Sequence, residues 1–410
     1  MNSLETVKQS LQSRLMEKID FTRDVCDSEI QEMIDEEIIL TGRYAYLSLA
    51  DKNRLAKELF FSIRKMDILQ ELVEDESVTE IMVNGLDKVF VERGGKIIEY
   101  NSKFHSKEKL SDVIQQIVGK SNRVVNEASP IVDARLENGA RVNVVMSPVA
   151  LNGPILTIRR FPDNPIRMAH LVQIESISEE ASELLQKLVR SGYNIFISGG
   201  TGSGKTTFLN ALSEFIPKTE RVITIEDSAE LRIQGIHNLV RLETRNANVE
   251  GCIPVTIRDL IKASLRMRPD RIIVGEVRGS EAIDMLSCLN TGHNGSLSTG
   301  HGNNTRDMLF RLETMVLMGM DLPLGAIRRQ IASGIDILVH LGRMRDKTRK
   351  VLEITEVVDY QEGEIVLSPL YVYHESLESK KDKVKGCLVK VGQLKHIEKL
   401  SLAGIEIQTL

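Results

Sequence analysis

A glycine-rich segment limits the fold of this 410-residue chain more than any other feature of its sequence. Residues 199–206 read Gly-Gly-Thr-Gly-Ser-Gly-Lys-Thr, which fits the phosphate-binding pattern GxxxxGK followed by Ser or Thr. The apolar run 194–198 before this segment predicts a strand, and the run 207–212 after it predicts a helix. In such a strand–loop–helix order, backbone N–H groups and the helix N-terminus surround a phosphate group. The chain is therefore expected to bind a nucleotide through this phosphate loop.

The residues of the phosphate loop have separate expected roles in holding the phosphates of a nucleotide and Mg²⁺. The Lys205 ammonium is expected to reach the β- and γ-phosphates, and the Thr206 hydroxyl is expected to ligate Mg²⁺. The glycines allow the backbone to approach the phosphates closely. The predicted nucleotide-binding residues are Gly200, Thr201, Gly202, Ser203, Gly204, Lys205, Thr206 and Thr207.

Hydrolysis at a phosphate loop also requires an acidic residue at the end of a neighbouring buried strand. Two apolar runs offer one, because 271–275 is followed by Glu276 and 221–225 is followed by Glu226. A carboxylate directly after buried β-branched residues is costly unless it is paired or used. We favour Glu276 as the residue that holds Mg²⁺ or organises water, and Glu226 as the candidate base or water-orienting residue. The alternative is that both acids cap the helices that follow them, and Glu230 is expected to be solvated.

Changes in hydrophobic periodicity divide the chain into five segments. Apolar residues at three-to-four spacing in 1–65 predict a helical bundle. Short alternating strands and a helix in 66–160 predict an α+β domain, and the prolines of 161–169 predict a linker. The repeated strand–loop–helix order over 170–375 predicts an α/β domain with a largely parallel sheet. The Lys-rich segment 376–410 gives no clear fold signal.

Two local signals refine the boundaries of the α/β domain. Ser176 with Glu179 predicts a capping box at the start of a helix that ends at Gly192. The alternating runs 351–360 and 364–373 predict a β-hairpin.

Overall charge and apolar patterning narrow the classes of partner. Lys and Arg number 53 and Asp and Glu number 58, so the net charge is -5. A dedicated nucleic-acid-binding protein is normally basic, so no nucleic acid is expected as the main partner. No stretch approaches the roughly 18 apolar residues that a membrane-spanning helix needs. The chain is therefore expected to be cytoplasmic and to meet a membrane only through its partners.

Several longer segments resemble the type II/IV secretion ATPase superfamily. Residues 264–279 are similar to the Walker-B region of that superfamily, 290–301 to its His box and 224–231 to its Asp box. Segments 240–245 and 311–318 resemble more narrowly the CpaF type, the ATPases of Tad/Flp pilus assembly. Three further segments resemble the N-terminal domain of the family, namely 78–84, 133–143 and 156–161. The resemblance covers about residues 65–370, and the absent tetra-cysteine zinc insert disfavours the type II secretion branch.

This resemblance implies both a fold and an activity. The implied fold is a RecA-like P-loop NTPase domain preceded by a small α+β domain, with the helical bundle ahead of both. The implied assembly is a homo-hexamer that hydrolyses ATP in the cleft between the α+β and RecA-like domains. It would act with an inner-membrane platform protein, at the inner face of the membrane, to power Tad-type pilus assembly or secretion. The alternatives are a type IV secretion ATPase for protein or DNA substrates, a nucleic-acid translocase, and a non-catalytic nucleotide-binding subunit.

The resemblance also implies the roles of individual residues. Glu276 matches the Walker-B glutamate, Glu226 the catalytic glutamate of the Asp box, and His301 the His-box histidine near the γ-phosphate. A guanidinium is always charged and forks onto phosphate oxygens, so matching arginines are candidate phosphate ligands. These arginines are Arg135, Arg141, Arg159, Arg160, Arg241 and Arg245.

Overall fold

A computed structural model describes residues 3–20, 22–23, 25–42, 46–160, 165–245 and 253–405 of the chain. Within these ranges the chain divides into two compact units. The N-terminal unit contains the described residues up to 160, and the C-terminal unit contains 165–245 and 253–405.

The N-terminal unit begins with helices α1 (Ser3–Lys18), α2 (Asp27–Thr41) and α3 (Leu49–Arg64). These helices lie where helical periodicity predicted them. Their apolar faces meet in one cluster that includes the buried side chains of Leu15 and Leu55. A capping box fixes the start of α3, because the Ser48 side chain accepts the Asp51 N–H while Asp51 accepts the Ser48 N–H.

The rest of the N-terminal unit is the α+β fold that the sequence predicts. Its elements are α4 (Ile68–Glu74), β1 (Val78–Asn84), β2 (Lys88–Arg93), β3 (Lys96–Tyr100), α5 (Lys107–Lys120), β4 (Ile131–Arg135), β5 (Arg141–Val145) and β6 (Ile155–Arg159). The strands form an antiparallel sheet in the order β3-β2-β1-β6-β5-β4. The apolar face of α5, with Val113 and Ile117, packs with the inward side chains of this sheet in a second cluster.

The C-terminal unit is built on a larger sheet. Its strands are β7 (Ile195–Gly199), β8 (Arg221–Glu226), β9 (Asn238–Glu243), β10 (Arg271–Val277), β11 (Leu297–Gly300), β12 (Ile337–Arg343), β13 (Arg349–Gln361), β14 (Glu364–Glu375) and β15 (Gly386–Lys390). Its helices are α6 (Met168–Gln173), α7 (Glu179–Arg190), α8 (Lys205–Ser213), α9 (Ile257–Ser264), α10 (Ala282–Leu289), α11 (Thr305–Gly319), α12 (Leu324–Gly334) and α13 (Glu398–Leu402).

The order of these strands is β15-β14-β13-β12-β7-β11-β10-β8-β9. Pairing is parallel from β12 to β9 and antiparallel from β12 to β15. The α/β class with a largely parallel sheet is thus confirmed. Since β7 lies between β11 and β12, the phosphate loop leaves an interior strand of the parallel region, at the edge where the neighbouring strands also end.

Three local predictions for this unit have different outcomes. The predicted capping box on Ser176 is wrong, because α7 begins at Glu179 with Ser178 as its N-cap. The Ser176 hydroxyl instead donates to the Arg349 carbonyl at 2.7 Å, which ties the start of α7 to β13. Of the predicted linker 161–169, residues 161–164 lie outside the described residues, and α6 already begins at Met168. The predicted hairpin is confirmed as β13 and β14.

The C-terminal tail, whose residues carry no clear fold signal, packs as part of the C-terminal unit. Strand β15 pairs with β14, and Leu400 in α13 is fully buried. The Glu356 carboxylate, buried within the unit, accepts the N–H groups of Lys395 at 2.9 Å and His396 at 2.7 Å. A buried acceptor that captures two backbone donors explains why this polar segment is held in place.

A buried arginine at the amino end of β10 connects four segments of the C-terminal unit. Arg271, at the start of β10, is 1% exposed and forms an ion pair with Glu220. Its Nη1 donates to the carbonyl oxygens of Val189 at 2.7 Å and Gly295 at 3.2 Å. A Cβ atom at Gly295 would lie 2.4 Å from Arg271 Nη1, and Gly295 has a φ of +83°. Both facts require glycine at that position.

Replacing Arg271 should destabilise the C-terminal unit. Arg271→Met leaves Glu220 and two buried carbonyl groups without their donor, so we expect a loss of about 3 kcal/mol in the free energy of unfolding. Arg266→Met changes an exposed arginine and is the matched control, with an expected effect within about 0.5 kcal/mol. Urea denaturation followed by circular dichroism measures both. Equal unfolding midpoints for the two variants would refute this role of Arg271.

Candidate nucleotide-binding site

The carboxyl edge of the parallel strands brings the predicted catalytic residues together within the C-terminal unit. Lys205 begins α8 after the phosphate loop, and Glu226 is the last residue of β8. Glu276 lies near the end of β10, and His301 directly follows β11. In open α/β sheets ligands bind at this edge of the sheet.

The phosphate loop has the backbone shape that its glycines predict. Gly202 and Gly204 have φ angles of +71° and +93°, in the left-handed region that favours glycine. A Cβ atom at Gly199 would lie 2.5 Å from Ser203 Oγ and 2.6 Å from the Leu341 carbonyl oxygen. The loop is therefore packed closely against its own serine and against β12.

The Lys205 side chain closes this loop. It is 8% exposed, and its Nζ donates to the carbonyl oxygens of Gly199 and Gly200, both at 3.2 Å. Burial lowers the pKa of Lys205, while the nearby Glu276 carboxylate opposes that shift. The ammonium occupies the mouth of the loop, where a phosphate ligand would exchange these carbonyl groups for a charged partner.

Thr206 faces a carboxylate that the sequence analysis placed in solvent. Its hydroxyl donates to Glu230 Oε2 at 3.4 Å, and Glu230 is only partly exposed. The prediction that Glu230 is a solvated helix or loop residue agrees with its loop position and partial exposure. In addition, its N–H donates to Glu226 Oε1 at 2.8 Å, which turns the chain back towards α8. No signal near Glu230 in the sequence indicates this return.

The donor set fits Mg²⁺. A hydroxyl and a carboxylate are hard oxygen ligands, and Mg²⁺ is usually held by one or two carboxylates together with the phosphates of the nucleotide. Within the described ranges, no group of three or more His, Cys, Asp or Glu side chains could hold a metal by itself. Thr206 with Glu230 or Glu276 could therefore hold a Mg²⁺ ion that arrives with the nucleotide.

Glu226 is a buried carboxyl group with one oxygen held and one without a partner. Its Oε1 accepts the N–H groups of Glu230 at 2.8 Å and Leu231 at 2.7 Å. Its Oε2 has no hydrogen-bond partner among the residues that the structure describes. Burial raises the pKa of Glu226 to about 7, although the two N–H bonds oppose that shift. A group with such a pKa can accept a proton near neutral pH.

Glu276, His301 and Lys205 form a continuous polar chain. His301 Nε2 lies 2.7 Å from Glu276 Oε1, and His301 Nδ1 lies 3.3 Å from Lys205 Nζ. Burial and the neighbouring Lys205 charge lower the pKa of His301, while Glu276 opposes that effect. The contact with Glu276 is one of close approach only, because Glu276 Oε1 has no hydrogen-bond partner among the described residues. A neutral imidazole can accept the Lys205 ammonium proton at Nδ1. The second oxygen of Glu276 accepts from Arg278 Nε at 2.7 Å.

The candidate arginines fall into two groups. In the N-terminal unit, Arg135, Arg141 and Arg159 lie opposite one another across β4, β5 and β6. Arg160, directly after β6, donates to the Asp75 carbonyl oxygen. The first three are therefore neighbours in one sheet of the N-terminal unit, and Arg160 lies at the end of that sheet.

The other two candidate arginines belong to the C-terminal unit. Arg241, on the edge strand β9, donates to the Leu231 carbonyl oxygen at 3.0 Å. The positive charge of Arg241 also opposes the rise in the pKa of Glu226, so Arg241 interacts electrostatically with the site. Arg245 donates to the Ile253 carbonyl oxygen at 3.0 Å and is exposed.

Two arginines that the sequence analysis missed contact the phosphate loop. Arg349 Nε donates to the Gly202 carbonyl oxygen at 2.9 Å, and Arg349 Cδ would lie 3.2 Å from a Cβ atom at Gly204. Arg343, its partner across the β12–β13 hairpin, lies beside Gly202. Only the pairing of β12 with β7 brings this hairpin to the loop, so no local signal could have identified either arginine.

A cleft of about 210 Å³ opens beside the phosphate loop within the same unit. Its apolar lining is formed by Ile166, Leu171, Ile174, Phe208, Leu341 and Val351. Its polar lining includes Ser203, Thr207 and Arg349. An apolar cleft with a few polar groups beside a phosphate site suits a nucleoside.

Comparison with known proteins relates this geometry to secretion machinery. The family model described as Type II/IV secretion system protein matches residues 63–387. A putative conjugal transfer protein of Mycobacterium tuberculosis is 35% identical over 304 residues, which cover 73% of this chain and 86% of the relative. The type IV secretion system protein VirB11 of Brucella suis is 30% identical over 303 residues, which cover 67% of this chain and 84% of the relative.

A solved structure supports the fold. The X-ray structure of the Legionella pneumophila ATPase DotB matches with a TM-score of 0.51 and 21% identity. The match covers 72% of this chain and 81% of DotB. The RecA-like fold expected for the C-terminal unit is thereby confirmed.

The buried Glu226 carboxyl should make stability depend on pH. Its pKa is raised from 4.5 to about 7, so its favourable contribution is complete below pH 4.5 and is lost as pH rises through about 7. Glu226→Gln removes that ionisation. The stability of the variant relative to the wild type should therefore rise by about 2 to 3 kcal/mol between about pH 5 and pH 8.

Urea denaturation without nucleotide at the two pH values measures this difference. Glu362→Gln, which changes an exposed carboxylate in a turn, is the matched control and should show no such trend. A constant difference between Glu226→Gln and the wild type would contradict the assignment.

Proposed function

The chain belongs to the type II/IV secretion system protein family, and we propose that it is an ATP-hydrolysing motor of such a system. The observation that carries this proposal is the chain from Lys205 through His301 to Glu276 at the mouth of the phosphate loop. A binding module would need the loop and its lysine alone. The additional histidine and the two buried or half-buried carboxylates supply what hydrolysis requires.

Nucleotide binding follows from the charges of the loop. The phosphates enter between the backbone N–H groups and the N-terminus of α8, while the base enters the apolar cleft beside Thr207 and Phe208. Lys205 Nζ then leaves the carbonyl groups of Gly199 and Gly200 for the phosphates. His301 loses its Lys205 donor in the same movement. The hydrogen bonding of His301 therefore depends on whether a nucleotide occupies the loop.

The hydrolytic step uses the two glutamates differently. Glu226, with a pKa of about 7 and one oxygen without a partner, is the proposed base for the attacking water. Glu276 positions His301, and Thr206 with Glu276 or Glu230 would hold Mg²⁺. When bound with ATP, Mg²⁺ neutralises charge on the β- and γ-phosphates. Some of the six candidate arginines would complete this neutralisation.

Two lines of support, sequence resemblance and the identified relatives, suggest which secretion or pilus system the motor powers. Segments 240–245 and 311–318 resemble the CpaF type, which supports assembly of a Tad-type pilus. The second candidate is a type IV secretion or conjugal transfer system, favoured by the names of the relatives that are 30% to 35% identical. A nucleic-acid translocase is disfavoured by the net charge of -5.

The proposed assembly is a homo-hexamer bound to an inner-membrane platform protein on the cytoplasmic side. Arginines supplied by a neighbouring subunit would make turnover depend on assembly. None of the helices in the described ranges has the length and apolarity needed to cross a bilayer.

ATP turnover across protein concentration, measured with Mg²⁺ alongside light scattering, tests the proposal. We expect specific activity to rise as a hexamer-sized species forms, because the arginine set is then complete. Full activity in a monomer would contradict the shared-site proposal. Absence of turnover in a hexamer would contradict the motor itself.

Two substitutions separate binding from hydrolysis. Lys205→Ala should lower ATP affinity by at least about 100-fold, because it removes a charged phosphate ligand. Glu276→Gln should bind ATP with near wild-type affinity yet lose turnover by about 100-fold or more, because His301 loses the carboxyl group that lies 2.7 Å from its Nε2. Titration with a fluorescent ATP analogue and a phosphate-release assay measure the two effects. Normal turnover in Glu276→Gln would move the catalytic role to another residue.

A further inference from the structure

A row of polar side chains crosses the sheet directly behind the phosphate loop. In the strand register, His340 of β12 lies opposite Ser198 of β7 on one side and Glu353 of β13 on the other. Ser198 Oγ lies 2.9 Å from His340 Nδ1, and these two residues are 0% and 6% exposed. Most of β12 is otherwise apolar, with Leu338, Val339 and Leu341 among its buried residues. A polar residue there is costly unless it is fully bonded.

The second ring nitrogen of His340 reaches the loop that carries His301. It faces the backbone of Asn303, two residues after His301, which favours the protonated ring and so acts as an acceptor. Burial lowers the pKa of His340, while Glu353 and Asp307 oppose that shift. A neutral imidazole has one acceptor and one donor nitrogen. Ser198 can therefore donate to Nδ1, which leaves Nε2–H as the donor that faces the Asn303 carbonyl.

Glu353 secures the far end of the same loop. The Thr305 hydroxyl, at the start of α11, lies 3.0 Å and 3.1 Å from the two carboxylate oxygens of Glu353. Glu353 also accepts a hydrogen bond from Thr355. The segment 301–305 is thus held at Asn303 by β12 and at Thr305 by β13.

We propose that His340 is a positioning residue that fixes the His301 loop relative to the phosphate loop. Ser198 directly precedes Gly199, and Asn303 lies two residues from His301, so one imidazole spans the two segments that meet at Lys205. Its effect is transmitted through His301, because His340 itself is buried behind the loop. This inference rests on the proposed ATPase function and adds a determinant of the hydrolytic step.

The geometry separates the effect on turnover from the effect on affinity. The phosphate loop keeps its glycines, its N–H groups and Lys205 when His340 is changed, so nucleotide affinity should be preserved. His301 would lose its fixed distance to Glu276, so hydrolysis should slow. A purely structural role of His340 would lower stability without this division.

The experiment compares His340→Gln with His340→Asn in the full-length chain. The Gln carboxamide N–H group can reach the Asn303 carbonyl in place of Nε2–H, whereas the shorter Asn side chain reaches only as far as Nδ1. We expect His340→Gln to keep kcat within about threefold of the wild type and His340→Asn to lower kcat at least about tenfold. Both should bind a fluorescent ATP analogue within about twofold of the wild type.

Thermal unfolding of each variant shows whether a change in kcat reflects lost stability, and a further variant serves as the matched control. His374→Gln changes an exposed histidine on β14 and should leave kcat unchanged. Equal kcat values for the Gln and Asn variants at equal stability would overturn the inference, as would a loss of turnover that follows ATP affinity. Failure of the wild type to hydrolyse ATP would refute the proposed function itself, which is a separate outcome.

Discussion

Parallel pairing of β7 with both β11 and β12 is the constraint on which the site depends. Parallel strands end at the same edge, so the phosphate loop, the His301 loop and the end of β12 come together there. The next strands, β10 and β8, add Glu276 and Glu226 at the same edge. The β12–β13 hairpin adds Arg349 against the loop backbone. Each group comes from a different crossover, and only their shared edge makes them neighbours.

The C-terminal unit buries several charged groups, and they differ in how completely they are paired. Arg271 is fully bonded, since an ion pair and two carbonyl groups use its donors, and it contributes to structure alone. Lys205 and Glu226 are incompletely compensated. Lys205 donates hydrogen bonds to neutral carbonyl groups and contacts a histidine, with the carboxylates of Glu276 and Glu230 acting on it only through space. Glu226 has one oxygen without a described partner. Incomplete compensation of this kind is typical of groups that await a ligand or a proton.

Each unit contains its own arginines of interest, and the two sets lie in different kinds of structure. Arg135, Arg141 and Arg159 form a row across antiparallel strands, where alternate residues share a face and like charges repel unless an anion or a carboxylate lies close. Asp133, 3.4 Å from Arg141, supplies part of that compensation. Arg349 instead acts on the phosphate loop from within its own unit. The family match over residues 63–387 includes both sets, and VirB11 of Brucella suis is similar over a comparable length.

The sequence by itself determined what depends on a few adjacent residues. The phosphate loop needs glycines at Gly202 and Gly204 and a helix start at Lys205, and the β13–β14 hairpin needs the turn at 361–363. Alternating strands and helices likewise fixed the α/β class. The cap on α7 shows the limit of such signals, because Ser176 and Ser178 are equally suited to that role and a contact with β13 takes Ser176 away.

Only the tertiary structure decided which distant residues became neighbours. Glu230 faces Thr206 because Glu226 captures its N–H group, and Arg349 reaches Gly202 because β12 pairs with β7. The row from Ser198 through His340 to Glu353 has the same origin. Strand order is set by the burial of whole faces of the sheet, which sums over many residues far apart in the chain. Local patterns predict each strand, but the free energy that selects its neighbours belongs to the assembled sheet.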